Sequence, residues 1–163
     1  MNVSAKGDYA VRAVTGLAAR HPGRASVHEL AAEFDMPRKF LEVVLADLRR
    51  AGIVGSTRGV EGGYTLRRAP SEITVGEVLR VIDGPLANIR GLRPDEVNYT
   101  EGLEHVQELW IAARSAVRSV FDEVTFDQLV SGAFAPGIAA LFAPPEAWKS
   151  QFAKPPAPER KTK

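Results

Sequence analysis

The fold is decided by the stretch from Ser26 to Leu66, which reads SVHELAAEFDMPRKFLEVVLADLRRAGIVGSTRGVEGGYTL. Ser26 and Glu29 form a capping-box pattern, which predicts that a helix of about two turns begins there. A second helix opens at Pro37, because the first helical position tolerates proline, and its apolar residues keep helical spacing up to Gly52. Two short helices joined by a turn of a few residues predict a helix-turn-helix.

The residues after Gly52 change from helical to strand character. Ile53-Val54 and Tyr64-Thr65-Leu66 read as two short strands, and the segment between them is rich in turn formers. Five of the 14 glycines lie between residues 52 and 63. A hairpin with a glycine-rich tip, placed directly after a helix-turn-helix, predicts a winged helix-turn-helix domain.

Further helices flank this stretch on both sides. Apolar residues that recur from Ala10 to Ala18, followed by the break at His21-Pro22-Gly23, predict the helix before it. The helix after it begins at a second capping-box pattern, Thr74 with Glu77, and ends at Gly84-Pro85. Residues 86–98 show no apolar period and are interpreted as a linker, which leaves residues 1–85 as the winged helix-turn-helix domain.

The longest apolar pattern lies in residues 99–125 and predicts a helix of about 40 Å. Its heptad seam consists of Leu103, Val106, Trp110, Ala113, Val117, Val120 and Val124, and a second stripe of Leu109, Ala112 and Ala116 widens the face. A domain of about 85 residues is too small to cover all of this face, so we expect part of it to pack against a second copy. The alternative is a helix folded wholly over its own domain. Residues 99–130 are accordingly interpreted as a dimerisation helix and a short following helix.

The C-terminal segment, residues 131–163, has a different composition. It holds six of the 11 prolines and ends in the basic run from Lys154. Ala139, Leu141, Phe142, Trp148 and Phe152 are apolar enough to dock as a short element, whereas the basic end is predicted to be disordered. The whole chain is therefore predicted to be mainly α with a small β-wing: a winged helix-turn-helix domain, a long dimerisation helix and a partly disordered tail.

Composition excludes several classes of protein. The chain has 163 residues, 45% of them hydrophobic, and no cysteine, so disulfide scaffolds, thiol nucleophiles and cysteine-ligated metal sites are excluded. No apolar run approaches the roughly 20 residues that span a bilayer, and the first residues lack the pattern of a secretory signal, which predicts a cytoplasmic protein with no membrane partner.

The net charge of +1 conceals segments of opposite sign. Basic residues outnumber acidic ones by 11 to 7 in residues 1–68, acidic residues prevail by 11 to 5 in residues 69–130, and residues 131–163 hold 5 basic and 2 acidic residues. The basic front favours contact with a polyanion such as DNA, although chance clustering on a solvated surface is the alternative.

The charged residues of the fold-deciding stretch suggest how DNA is read. Arg38 and Lys39 begin the helix that enters the major groove in this architecture, and Glu42 lies one turn later, where a carboxylate accepts from a cytosine amino group. Arg49 and Arg50, near the other end of this helix, are expected to contact the phosphate backbone or an acidic neighbour. Arg58 at the hairpin tip is suited to the narrow minor groove. The alternative for each of these residues is an exposed charge that faces solvent and does not contact DNA.

These residues stand within an ordered set of motifs that resembles the BadM and Rrf-two type of bacterial winged helix-turn-helix regulators. The motifs are Lys6-Gly7-Asp8-Tyr9-Ala10-Val11-Arg12-Ala13, Phe40-Leu41-Glu42, Leu48-Arg49-Arg50-Ala51-Gly52-Ile53-Val54, Arg58-Gly59, Gly62-Gly63-Tyr64, Ile73-Thr74-Val75-Gly76-Glu77-Val78, Asp83-Gly84-Pro85 and Val124-Thr125-Phe126-Asp127-Gln128-Leu129. The resemblance covers residues 1–130. It implies DNA contacts at Arg38, Lys39, Glu42, Arg49, Arg58, Gly59 and Tyr64, and a homodimer whose reading helices lie about 34 Å apart on a palindromic operator.

The chain departs from this family in one respect. Sensor members hold an iron-sulfur cluster with three cysteines near the start of the dimer helix, and the corresponding stretch here contains none. Asp8 is then an ordinary carboxylate of the first helix. Glu101, His105 and Glu108 would share one helix face, but we interpret them as solvated charges and expect neither a metal nor a cofactor.

These observations favour a dimeric, sequence-specific DNA-binding repressor, controlled by a signal other than an iron-sulfur cluster or by none. An interaction adaptor that docks a partner through the acidic residues 69–130, with weak or lost DNA binding, is the alternative. A small-molecule or protein effector is compatible with both. Trp110 and the linker are candidates for the border of a small-ligand pocket between the domain and the dimer helix, and a plain core position is the alternative for Trp110. An enzyme is disfavoured, because His21, His28 and His105 lie far apart and have no nucleophile beside them.

Overall fold

The computed structural model describes residues 2–59 and 62–149 and divides into two compact units, Met1–Ala133 and Phe134–Lys163. The first unit is mainly helical with one small sheet, as predicted, and comprises α1 (Ala5–Ala18), α2 (Val27–Glu33), α3 (Arg38–Arg50), β1 (Val54–Thr57), β2 (Gly63–Leu66), α4 (Val75–Asp83), α5 (Glu104–Phe121) and α6 (Phe126–Ser131). No helix within the two described ranges has the length and apolar character needed to span a membrane.

The second unit contains α7 (Pro136–Phe142) and a short 3-10 turn (Pro145–Trp148). The rings of Phe134 and Phe142 meet edge to face at 5.5 Å, and the indole Nε1 of Trp148 donates to the Phe142 carbonyl oxygen at 2.8 Å. The start of the proline-rich segment therefore forms a short helical element. The basic end from Lys154 lies outside the described residues.

The helix termini follow the local sequence signals closely. Ser26 and Glu29 form the predicted capping box at the start of α2. The second predicted box is half formed, because Thr74 accepts from the Glu77 amide at 3.2 Å while the Glu77 carboxylate pairs with Arg68 instead. Pro37 is the N-cap of α3 rather than its first helical residue. Gly52, with φ +78°, takes the left-handed conformation predicted after this helix.

The core lies where α1, α3 and α4 pack together, with α6 against α1. Its largest fully buried side chains include Leu17, Leu41, Leu45, Leu48 and Phe126. Fully burying one such side chain stabilises the fold by about 1.5–3 kcal/mol. The apolar faces predicted for the first, third and fourth helices therefore form one core. The inner face of α3 packs in this core.

Two cationic side chains of α1 tie the helix-turn-helix to the core. Lys6 Nζ contacts Asp47 Oδ2 of α3 at 2.5 Å, and the Arg12 guanidinium donates to the Phe34 carbonyl oxygen at the end of α2. The hydrogen bond from Lys6 holds the pKa of Asp47 below its ordinary 3.8. Lys6 and Arg12 of the N-terminal motif thus position α2 and α3.

The two strands form an antiparallel wing beside α2. Val54 is paired with Leu66 and Thr57 with Gly63. The sheet is extended by one bridge, in which the Tyr64 amide donates to the Ala25 carbonyl oxygen at 2.8 Å and the Ala25 amide donates back at 3.0 Å. This bridge attaches the wing to the residue that precedes the capping box.

The long helix is shorter than the sequence pattern predicts. It spans Glu104–Phe121 rather than residues 99–125, which makes it about 27 Å long. Gly102, with φ +88°, precedes it. At the other end the chain leaves the helix, because Val124 accepts from the Val75 amide at 2.9 Å and Thr125 caps α6 with Gln128.

The predicted linker forms neither helix nor strand, and it covers one side of α5. Gln107 Nε2 donates to the Val97 carbonyl oxygen at 3.0 Å, Trp110 Nε1 donates to the Tyr99 hydroxyl at 2.9 Å, and Arg114 pairs with Asp95. Of the seven seam residues, Val124 is buried, Val106, Trp110, Val117 and Val120 are half-buried, and Leu103 and Ala113 are exposed. The apolar face of α5 is therefore neither wholly free for a second copy nor wholly covered by its own chain.

Candidate nucleic-acid interface

An open groove of about 430 Å³ lies between α2, α3 and the wing. Arg38 and Arg49 of α3 and Arg58 at the end of β1 all line it. Residues separated by up to 20 positions in the chain therefore converge on one surface. Five of the seven residues predicted from sequence to contact DNA line this groove: the three arginines, Gly59 and Tyr64.

Arg38 is oriented by its own helix. Its Nε contacts Glu42 Oε1 at 3.1 Å, one helical turn away, and 66% of its side chain is exposed. The pair directs the guanidinium along α3 while leaving it open to solvent. Lys39 and Glu42 are also exposed, but they lie outside the groove on the same two turns. Glu42 pairs with Arg38 in this structure, and its contact with a cytosine amino group stays a prediction.

Arg49 connects α3 to the wing. Its Nη1 donates to the Ser56 hydroxyl of β1 at 3.3 Å, and the arginine remains exposed. Because it lies more than two turns beyond Arg38, it borders the opposite part of the groove. This geometry is compatible with the phosphate contact that the sequence predicts for Arg49.

The wing presents Arg58 and Gly59 at its exposed end. Gly59 has φ +117°, a conformation that residues with a side chain rarely adopt. Tyr64 lines the groove but is only partly exposed, and its backbone holds the wing against Ala25. Tyr64 therefore acts at least as a positioning residue. Val60 and Glu61 at the tip lie outside the described residues.

The groove also contains two residues that the sequence reasoning missed, Ser26 and His28. The Ser26 hydroxyl accepts from the Glu29 amide at 3.2 Å, and the hydrogen bonds of this capping box lower the pKa of Glu29. His28 is exposed on the first turn of α2. The capping box was the available signal, since it places these residues at the end of α2 that faces the wing.

The electrostatics of the groove suit a polyanion. Among its described lining residues three are arginines and none is aspartate or glutamate. Arginine binds phosphate oxygens through a planar fork of N–H donors and keeps its charge at every relevant pH. The arrangement of a reading helix with a neighbouring wing matches how this architecture contacts a DNA duplex.

A family model described as Rrf2, iron-dependent transcriptional regulator, matches residues 3–132. The chain belongs to the Rrf2 family. The family match confirms the resemblance drawn from the motifs. Members of this family are transcriptional regulators, so the Rrf2 protein is a winged-helix, DNA-binding transcriptional regulator rather than an enzyme.

Relatives of this Rrf2 protein match it over most of their length. A putative HTH-type transcriptional regulator of Mycobacterium tuberculosis is 39% identical over 142 residues, covering 86% of this chain and 88% of the relative. The solved structure of CymR, the global cysteine regulator of Bacillus subtilis, has a TM-score of 0.71 at 35% identity, covering 82% of this chain and 99% of CymR. T. potens IscR has a TM-score of 0.66 at 29% identity, covering 93% and 94%.

The iron in the family description does not fit the donors of this Rrf2 protein. The full chain has no cysteine, and in the described ranges no group of three or more His, Asp or Glu side chains is arranged to hold a metal ion. Glu101 precedes α5 rather than sharing its face with His105 and Glu108. His105 Nδ1 instead lies 2.7 Å from Glu108 Oε2, which raises the pKa of His105. No step of its action is therefore assigned to iron.

Proposed function

We propose that this Rrf2 protein is a dimeric, sequence-specific repressor that reads a palindromic operator with α3 and the wing of each protomer. The convergence of Arg38, Arg49 and Arg58 on one groove carries the proposal. The two turns at the start of α3 would enter the major groove, where Lys39 and Glu42 supply further donors and acceptors. Arg58 and Gly59 would approach the adjacent minor groove.

The dimer in this proposal is supported by α5. None of its 18 residues is buried. The side shielded by the linker carries Trp110 and Val117, whereas Leu109, 58% exposed, lies with Ala112 and Ala116 on the side that is open to solvent. A strip of small and apolar residues along a helix allows close packing of a second helix. The dimer contact is therefore proposed to centre on this second stripe and to include the neighbouring edge of the heptad seam, Ala113 and Val120.

The acidic region, residues 69–130, is the basis of the adaptor alternative. Several of its carboxylates are already paired within the chain: Asp95 with Arg93 and Arg114, Asp122 with Arg80 and Arg118, and Glu77 with Arg68. Apart from Arg68, these partners belong to residues 69–130 themselves, so the segment keeps its excess of acidic over basic residues and the DNA-selection experiment decides between the two functions. The signal is proposed to be independent of an iron-sulfur cluster.

Selection of bound sequences from a random pool of DNA duplexes tests the proposal. We expect a palindromic consensus with half-site centres about 34 Å apart. If each groove arginine neutralises one phosphate, a dimer neutralises six, and log K falls against log salt with a slope of about −5. Recovery of no consensus, or a single half-site bound by a monomer, would contradict the proposal.

Two variants distinguish a DNA contact made in the groove from a non-specific effect of removing one positive charge. Arg58→Ala is expected to reduce the magnitude of the salt slope by about 2 per dimer. Arg90→Ala is the matched control, because Arg90 is exposed on the linker and does not line the groove. Equal affinity and slope in Arg58→Ala and the wild type would remove the wing from the interface. Transcription of a template carrying the selected operator tests repression directly, and unchanged transcript levels would refute that part.

A further inference from the structure

A second cavity of this protein is lined by arginines and lies away from the DNA-reading groove. Its volume is about 550 Å³, within the range of pockets that hold metabolites. It is bounded by the end of α4, the first residues of the linker and the C-terminal half of α5. Its basic residues come from all three: Arg80 from α4, Arg93 from the linker, and Arg114 and Arg118 from α5.

The charge around the cavity is positive. Four guanidinium groups face one lining carboxylate, Asp122, which accepts from Arg80 at 2.6 and 2.7 Å and from Arg118 at 3.2 Å. Asp95 pairs with both Arg93 and Arg114, and Glu96 lies 3.9 Å from Arg93. Four positive charges therefore stand against three negative ones even when both of these outer carboxylates are counted.

Arg114 supplies the observation that points to a ligand. Its Nη1 is paired with Asp95, but its Nε is buried and has no hydrogen-bond partner. A buried N–H without a partner is costly, and the cost is higher on a charged group. Arginine commonly binds one carboxylate or phosphate through two N–H groups at once. Arg114 lines the cavity and carries an N–H group that the chain leaves unpaired, so its guanidinium is the group at which we expect an anion to bind.

The remaining lining residues limit the ligand's size and shape. Pro85, Leu86 and Ala87 form an apolar wall where the chain leaves α4. This wall suits a short carbon skeleton, and the arginines suit its charged end. The volume fits a small metabolite.

We propose that this cavity binds a small organic anion, whose carboxylate or phosphate group is held by Arg114 together with Arg93 or Arg118. The site joins α4, which belongs to the winged domain, to α5, which is the proposed dimerisation helix. A ligand that binds one arrangement of these helices better than another shifts the equilibrium between them. The site therefore goes beyond the proposed DNA reading and offers a place for an effector.

Binding is tested on the full chain without DNA, so that its outcome is independent of the proposed function. Titration calorimetry uses inorganic phosphate and succinate as probes, with succinamide as the neutral match to succinate and ionic strength held constant with KCl. We expect saturable binding of at least one anion and none of succinamide. Stronger binding of phosphate assigns a phosphorylated ligand, and stronger binding of succinate assigns a carboxylate. Absence of saturable binding by both anions up to millimolar concentration overturns the proposal.

Variants locate the binding. Arg114→Gln and Arg114→Lys are each expected to weaken anion affinity at least tenfold, since lysine keeps the charge but lacks the Nε–H. Arg93→Gln provides a second test at an exposed linker residue outside α5, and circular dichroism checks that each variant is folded. Arg67→Gln removes the same charge at an exposed position outside the cavity and is expected to bind like the wild type. Equal affinity in the wild type, the Arg93 variant and the Arg114 variants would place the anion elsewhere and refute the site.

Discussion

Replacing Gly63 by alanine should detach the wing from the helix-turn-helix. A Cβ at this position would lie 2.9 Å from the Ala25 carbonyl oxygen, 3.1 Å from its carbonyl carbon and 3.4 Å from the Ser26 amide nitrogen. All three are backbone atoms, so no side chain can rotate to make room. The bridge between Ala25 and Tyr64, which begins at the next residue, must therefore shift or open.

The magnitude follows from the two hydrogen bonds of that bridge, at 2.8 and 3.0 Å. A backbone hydrogen bond contributes about 0.5–1.5 kcal/mol, so loss of both lowers the free energy of unfolding by about 1–3 kcal/mol. Ala25 is only 1% exposed, which places the cost toward the upper end because water cannot replace the bonds. Operator affinity should also fall at least tenfold, since a hydrogen bond to a charged group such as Arg58 is worth about 1.5–3 kcal/mol.

Urea denaturation measures the stability of this variant, and a mobility-shift titration with the selected operator measures its affinity. Gly55→Ala is the matched control in the same hairpin. Its new Cβ would lie 3.3 Å from the Thr65 Oγ1, a side-chain atom that can move, so its effect should be clearly smaller. A Gly63→Ala variant with the stability and affinity of the wild type would refute the reasoning, as would an equal loss in both variants.

Three further outcomes are expected. Leu109→Glu should convert the proposed dimer to a monomer in sedimentation at micromolar concentration. Leu92, 49% exposed on the linker, is the control, and Leu92→Glu should leave the dimer intact; a dimer in both variants would place the interface away from this face of α5. The pKa of His105 should exceed 6.5 in an NMR titration, because the paired carboxylate of Glu108 favours the charged ring, and it should return toward 6.5 in Glu108→Gln. The pair contributes a small stabilisation of the folded state at low pH, and this contribution disappears as pH rises through the raised pKa. Asp95, whose pKa its arginine partners lower from 3.8 to about 2, should titrate near that value and closer to 3.8 in Arg114→Gln. The pairing of Asp95 with its arginines stabilises the fold at pH values above the pKa of Asp95 in the unfolded chain, and this stabilisation is lost as pH falls through about 2. Identical titrations of Asp95 in the wild type and in Arg114→Gln would show that the pair does not persist in solution.

Local sequence signals predicted the secondary structure of the winged domain well. The capping box at Ser26, the glycine after α3 and the hairpin that follows all depend on hydrogen bonds and dihedral angles within a few residues. The same locality explains why Arg38, Arg49 and Arg58 could be proposed as DNA contacts. Their positions on a reading helix and a wing follow from the element order alone.

The errors lie where distant segments compete with a local pattern. The heptad spacing continues through Val124, yet the helix ends at Phe121 because Val124 accepts a hydrogen bond from Val75. Likewise, the second capping box is half formed because Glu77 pairs with Arg68. No periodicity in a single segment reports such long-range partners.

The sequence by itself determined the order and kind of elements, the absence of any cysteine-held cluster and the charge of the reading head. Only the tertiary structure decided which residues share a surface: Ser26 and His28 with the groove arginines, and four arginines from α4, the linker and α5 around a second cavity. It also divided the apolar circumference of α5 between the linker and solvent. The physical reason is that capping and turn preferences act between near neighbours, whereas burial and ion pairing depend on segments that folding brings together.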